Sequence, residues 1–214
     1  MRIADTGFWG MLFNSIYFSV LGAFFSASCT AMLAYVTCKY KFPGSGAYFI
    51  ASLVTMILPI YGTGGSMYLL LDKLNLLNSR LMILTSFTGI GVYYMYFYSF
   101  FQSVSNTYSE AARIDGAGDY TIFFRIILPQ AMPMFGAVFL MIWMAEWNNY
   151  SSAILYPNEL PTLSAGIYLF KTESGGDFDI LYTAYFITCI PPLIIFAFFN
   201  NVLMNNVSLG GIKE

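Results

Sequence analysis

The sequence predicts an all-α membrane protein, with about five transmembrane helices and a helix-turn-helix hairpin lying outside the bilayer. Three observations carry this expectation. Of 214 residues, 58% are hydrophobic and 9% charged, against about 45–50% and about 25% in soluble proteins. Nine basic and eleven acidic side chains are too few to cover a soluble domain of this size, so the bilayer is the solvent that the composition fits. The apolar residues also gather into charge-poor runs of the ~20 residues that a helix needs to cross the hydrocarbon core. Finally, the most polar internal segment, residues 102–132, is patterned for two short helices rather than a span.

The first apolar run, Gly7 to Cys38, is longer than a span requires and too long for a cleaved signal-peptide core, so part of it extends beyond the core or tilts. The second fills Gly44 to Leu71, between the turn Lys41-Phe42-Pro43-Gly44 and a polar link from Asp72 to Arg80. Pro59, Gly62, Gly64 and Gly65 interrupt it. A third begins at Leu81 and fades near Phe101, and a fourth covers Pro133 to Leu155 with Glu146 inside it. The fifth runs from Ile180 to Leu203 and carries Pro191-Pro192 in its middle. Prolines free backbone carbonyls that need other partners, and plain helix kinks are the favoured reading of both breaks. Between the last two spans, Leu163 to Phe170 is apolar but too short to cross, which predicts a re-entrant or surface-lying stretch.

In the polar segment, Thr107-x-x-Glu110 reads as a capping box that starts a helix near Tyr108. Gly116 and Gly118 break that helix, and Asp119 caps a second one running to Pro129. The alanines at 111 and 112 permit close approach of another backbone, while Ile126 and Leu128 pack the second helix down. That is the pattern of a docking device. On physics alone it also fits an ordinary amphipathic loop between spans.

Several chemistries are excluded. The net charge of −2 and the lack of a basic stripe argue against a nucleic-acid partner. With no histidine and three cysteines (Cys29, Cys38, Cys189) that lack ligand spacing, no metal site is expected, and the cysteines read as small packing residues. There is no zinc-protease motif and no Gly-rich phosphate loop, so the chain neither carries a cofactor nor hydrolyses ATP itself. Gly116-Ala117-Gly118-Asp119 formally matches the Gly-x-Gly-Asp pattern of intramembrane aspartyl proteases, but Asp119 lies in the polar hairpin and no second aspartate falls inside a span.

The stretch EAARIDGAGDYTIFFRIILPQAMP, from Glu110 to Pro133, resembles the signature "EAA" loop of ABC-importer permeases at every fixed position. In that family the loop is cytoplasmic and sits in a cleft on the ATP-hydrolysing subunit. The resemblance therefore implies that residues 102–132 form a cytoplasmic coupling loop in which Glu110, Ala111, Ala112, Asp115 and Gly116 touch the ATPase. Glu110 could instead only cap its own helix, and the two roles are compatible. The likeness extends over nearly the whole of residues 1–214 as one permease domain and points to the carbohydrate branch, similar to the smaller permease subunit of the maltose transporter. Asn14-Ser15 and Ala34-Tyr35 in the first run, Trp147-Asn148 and Leu163 through Gly166 later, and the tail VSLGGIKE carry it. Two departures stand out: the family's first span is missing, and the tail around Asn200-Asn201 and Asn205-Asn206 lacks the usual basic residues.

The resemblance implies an ATPase dimer, a second related permease and an external (periplasmic or extracellular) sugar-binding protein as partners, with membrane lipid around them. It also implies a multi-pass protein of a bacterial or archaeal plasma membrane. Counting basic residues gives this orientation slight independent support: Lys39, Lys41, Arg113, Arg125 and Lys213 fall inside, against Arg2, Lys73, Arg80 and Lys171 outside. An ionisable group in a span usually faces a cavity or a partner, so Glu146, with Trp147, Asn148 and Asn149, could line a sugar path. The same cluster could lie at the membrane surface, where tryptophan is a common anchor. Rival functions are import of another solute, intramembrane proteolysis and a passive channel; the last would not need a docking hairpin.

Overall fold

The computed structural model describes residues 7–40, 42–58, 62–77, 79–87, 89–151, 160–173 and 178–207. Pro59, the stretch 152–155 of the fourth expected span and the tail beyond Val207 lie outside these residues. Within them the chain is helical: α1 (Gly7–Lys39), α2 (Ser45–Ile57), α3 (Thr63–Lys73), a 3-10 segment (Arg80–Ser86), α4 (Val92–Ser103), α5 (Thr107–Ile114), α6 (Asp119–Ile122), a π-helical turn (Phe123–Ile127), α7 (Leu128–Trp147), α8 (Leu163–Glu173) and α9 (Phe178–Val207). Three stretches are long and apolar enough to cross a membrane: Gly7–Lys39, Asp119–Trp147 and Phe178–Phe198.

The second and third expected spans are each divided. Gly62, at φ 87°, separates the apolar α2 from α3. In the third, a 3-10 segment and a bend at Gly91 (φ 96°) precede α4. Glycine supplies these left-handed conformations without the Cβ clash that other residues meet.

The chain forms two compact units. One holds Met1–Phe25, Ile60–Phe87 and Leu140–Phe199; the other holds Ser26–Pro59, Thr88–Phe139 and Asn200–Glu214. α1 contributes to both. Its 33 residues would measure about 50 Å at 1.5 Å per residue, which accounts for a run longer than the ~30 Å hydrocarbon core. One of its faces is a ladder of small residues: Ser19, Ala23, Ala27, Ala31 and Ala34 are all buried, with Ser26 and Thr30 alongside. Small side chains at this spacing let neighbouring helices approach closely where water supplies no driving force between them.

In the first unit, the buried polar pair Asn14-Ser15 fixes the start of α8. Ser15 Oγ accepts the Leu163 amide at 2.7 Å, and the Asn14 amide donates to the Pro161 carbonyl at 3.2 Å. Thr162 Oγ1 accepts the Ala165 amide at 3.4 Å. Opening amides of a helix have no partner of their own, so these side chains permit its start to be buried. Leu163, Ile167 and Leu181 then pack with Met11 and Leu12. The apolar stretch after 160 is therefore a buried short helix rather than a surface-lying one. Arg80 lies over the rings of Phe13 and Tyr17, 5.2 and 5.5 Å from their centroids, a cation–π arrangement.

In the second unit, Thr37 Oγ1 and the Tyr94 hydroxyl are 2.7 Å apart, and Tyr48 donates to the Gly89 carbonyl at 2.6 Å. A Cβ at Gly89 would meet Leu33 Cδ1 and the Tyr48 hydroxyl, the ends of two side chains that would have to shift to admit it. Tyr35 of α1 packs against Phe101 and Phe123, with ring centroids 5.5 and 4.8 Å apart.

Candidate coupling hairpin and transport path

The hairpin exists, with altered caps. Asn106, not Thr107, occupies the N-cap of α5, and no side chain caps it. Ser105 Oγ instead accepts the Thr107 amide at 3.2 Å. The expected capping box does not form, because Thr107 is already helical and a neighbouring hydroxyl serves the chain first.

At the other end, Gly116 at φ 81° closes α5. Its amide donates to the Arg113 carbonyl at 3.0 Å and the Ala117 amide to the Ala112 carbonyl at 2.9 Å. This nested pair of bonds is a Schellman closure, which satisfies carbonyls that the helix end would otherwise orphan. Gly118 has an extended backbone and occupies the N-cap of α6, so Asp119 does not cap that helix as the sequence suggested.

The second arm does not end at Pro129. It passes through the π turn directly into α7, giving one helical stretch from Asp119 to Trp147. The Leu128 amide donates to the Phe123 carbonyl, five residues back, where an α-helix would bond four back. We attribute the tolerance of Pro129 to this wider turn: a proline ring collides with the carbonyl four residues earlier in a tightly wound helix.

Glu110, Ala111, Asp115 and Gly116 are exposed, whereas Ala112 is buried and packs inward. Ile114 was not among the residues singled out in the sequence, yet it is 87% exposed beside the turn. Its signal was an apolar residue set against Asp115 in an otherwise polar helix. Asp119 is held by two donors, the Tyr40 hydroxyl and Arg113 Nη2, each 2.9 Å from Oδ1. Those hydrogen bonds, Tyr40 first and then Arg113, lower its pKa below the ordinary carboxylate value. Burial, followed by the bond to Asp119, pushes the Tyr40 phenol up to about 12.

The four candidate path residues separate by role. Trp147 is buried, stacked on Trp143 with centroids 5.5 Å apart, and its Nε1–H donates to the Thr188 carbonyl at 3.3 Å. That carbonyl lies four residues before Pro192, which has no amide to offer it. Trp147 thus satisfies the acceptor that the proline frees, and α9 remains helical through Pro191-Pro192. The Trp147 carbonyl in turn accepts the Ser164 hydroxyl. Asn148 is exposed and donates to the Met144 carbonyl at 2.8 Å, and Asn149 Oδ1 accepts the Ser151 amide at 3.1 Å, so both side chains finish the end of α7. Glu146 is half-buried in the last turn of that helix. Tyr150 and Tyr168 stack nearly parallel nearby in sequence and fold, with centroids 4.8 Å apart. Among the described residues no cluster of side chains could hold a metal ion.

Residues 27–208 match the family described as the binding-protein-dependent transport system inner membrane component. The arabinooligosaccharides transport system permease protein AraQ of Halalkalibacterium halodurans is 27% identical over 208 residues, covering 96% of this chain and 75% of its own. The diacetylchitobiose uptake system permease protein NgcG of Streptomyces coelicolor is 30% identical over 190 residues, covering 84% of this chain and 62% of its own. At the level of fold, a chain from a bacterial ABC transporter involved in the import of the acidic polysaccharide alginate aligns with a TM-score of 0.67 and 23% identity over 96% of this chain and 75% of its own. These likenesses favour neither an intramembrane protease nor any other enzyme. The chain belongs to the family of inner-membrane components of binding-protein-dependent transport systems, and is an all-α membrane permease.

Proposed function

We propose that this chain is one of two permease subunits of an ATP-driven importer of oligosaccharides in a bacterial or archaeal plasma membrane. A related second permease completes the path, two ATPase subunits bind the cytoplasmic side, and an external binding protein delivers the sugar. The names of the relatives support a sugar as the solute. Residues 102–132 are the cytoplasmic coupling loop, touching the ATPase through Glu110, Ala111, Asp115 and Gly116, with Ile114 added and Ala112 acting as the close-packed inner side of the same helix. The observation that carries this reading is the Schellman-closed tip: Gly116 turns the chain sharply and leaves Glu110, Ile114 and Asp115 exposed on one short, fixed element.

ATP binding draws the two ATPase subunits together, and the hairpin passes that movement to the spans. Because the second arm runs without a break into α7, its displacement enters the span directly. In the path, Glu146, Asn148 and Asn149 offer polar groups to sugar hydroxyls, while Trp147 holds α7 against α9. To test this, the chain would be co-expressed with its ATPase, partner permease and binding protein in membrane vesicles, and ATP-dependent uptake of labelled arabinotriose and diacetylchitobiose measured. Saturable uptake of either, abolished by Gly116→Asp, supports the reading. Uptake that persists without ATP contradicts it.

A further inference from the structure

The carboxyl end of α1 is bound to the hairpin at three places, although 65 to 79 residues separate the partners in sequence. Lys39 Nζ donates to the Val104 carbonyl at 2.6 Å and to Asn106 Oδ1 at 2.8 Å, so it holds the junction where α4 passes into α5. Tyr40, the next residue, donates to Asp119 at the start of α6. Arg113, near the end of α5, binds the same carboxylate oxygen, and its guanidinium lies 5.8 Å from the centre of the Tyr40 ring. The last residue of α1, Lys39, and the one that follows it, Tyr40, thus grip the beginning and the far arm of the hairpin. Beneath them the contact is aromatic: Tyr35 packs on Phe123, and Met32, Val36, Tyr120 and Phe124 complete the lining of a cavity of about 300 Å³.

The Arg113–Asp119 pair of this junction contributes little to holding the fold. Arg113 and Asp119 have side chains 55% and 61% exposed, and exposed ion pairs contribute little to stability because water and salt screen them. What they fix is direction. α5 has eight residues and α6 four, and the backbone joins the hairpin only to α4 and α7. Nothing in the chain order would make α1 follow a movement of the tip.

We propose that Lys39, Tyr40, Arg113 and Asp119 form a latch that makes α1 move with the coupling hairpin, so that the signal from the ATPase enters two helices, α7 through the backbone and α1 through side chains. These four are positioning residues, distinct from the docking residues at the tip. The proposal rests on the coupling reading above.

The test uses the whole complex in lipid, with Cys29, Cys38 and Cys189 replaced by alanine and a spin label at Phe24→Cys, an exposed position of α1 outside the cavity lining. ATP with vanadate traps the ATPase dimer closed, and the change in label mobility is the readout. With the latch intact, trapping changes the spectrum. In Lys39→Met with Tyr40→Phe and Asp119→Asn the change falls several-fold, although the ATPase subunit co-purifies and traps nucleotide as before. Exchanging the charges, Arg113→Asp with Asp119→Arg, restores much of it. An undiminished response in the severed variant overturns the latch, as does an intact complex in which trapping leaves the label unmoved. Loss of the ATPase from the severed variant also overturns it, since those residues would then be docking groups. The docking reading is judged separately, by whether the unaltered complex retains the ATPase and Gly116→Asp releases it; if it fails, the latch fails with it.

Discussion

At the scale of the residue, the most informative side chain is Trp147, because its task is set by a proline 45 positions later. Replacing it with phenylalanine keeps a ring against Trp143 but removes the donor to the Thr188 carbonyl. Thr188 is half-buried, and an acceptor left unpaired there costs up to about 1–3 kcal/mol, so Trp147→Phe should lower the unfolding midpoint in detergent. Pro192→Ala returns an amide to that carbonyl, and adding it to Trp147→Phe should recover part of the loss, a non-additivity that thermal melts of the single and double variants will reveal. Asp119 makes a second residue-scale prediction. Its folded pKa is depressed, so the bonds to Tyr40 and Arg113 contribute fully above the unfolded value of about 3.9 and are lost as pH falls through the lower folded value. Tyr40 keeps its proton to about pH 12. The junction should therefore be insensitive to pH across the neutral range, and Tyr40→Phe should raise the Asp119 pKa toward the ordinary value in an NMR titration. A neutral-range midpoint for Asp119 would contradict this.

Among elements, the hairpin was the most legible and its ends the least. Glu110, Gly116 and the alternation of polar and apolar residues announced two short helices with a glycine reversal, and Gly116 does reverse the chain. The expected stop at Pro129 was wrong because a sequence does not advertise a π turn: one extra residue in the turn before a proline lets the helix continue. The capping box failed for a similar reason, since Ser105 competes for the amide that Thr107 was expected to leave for a cap. Gly116→Ala forces a Cβ into the left-handed region, at a cost of about 1–2 kcal/mol, and Gly116→Asn should cost less because asparagine visits that region more readily. Comparing the unfolding midpoints of the two variants checks this. At the start of α8, Ser15→Ala strands the buried Leu163 amide, and the expected loss is again about 1–3 kcal/mol; amide exchange at Leu163 should accelerate with it. No motif could have paired Ser15 with a residue 148 positions away. Only the burial of both, in a place without water, makes the bond necessary.

For the whole molecule, composition and run length were enough to identify a membrane protein, because nothing else explains so few charges on so many residues. They were not enough to number the spans from helix length. The runs 44–71 and 81–101 carry no charge, and the interruption at Gly62 read as a kink while Gly91 was not singled out; both glycines, at positive φ, divide the runs into separate helices. The candidate path was least legible: Trp147 and the asparagines looked alike as sugar contacts, and only the fold separates a buried bonding indole from an exposed Asn148 and a half-buried Asn149. Transport driven by ATP depends on the hairpin tip docking an ATPase. That docking is tested most directly by co-expressing the chain with its ATPase and partner permease and measuring ATPase co-purification for Glu110→Lys and Gly116→Asp. A docking tip requires that both variants insert into the membrane normally and lose the ATPase; full retention of the ATPase by both would mean that the tip does not dock it.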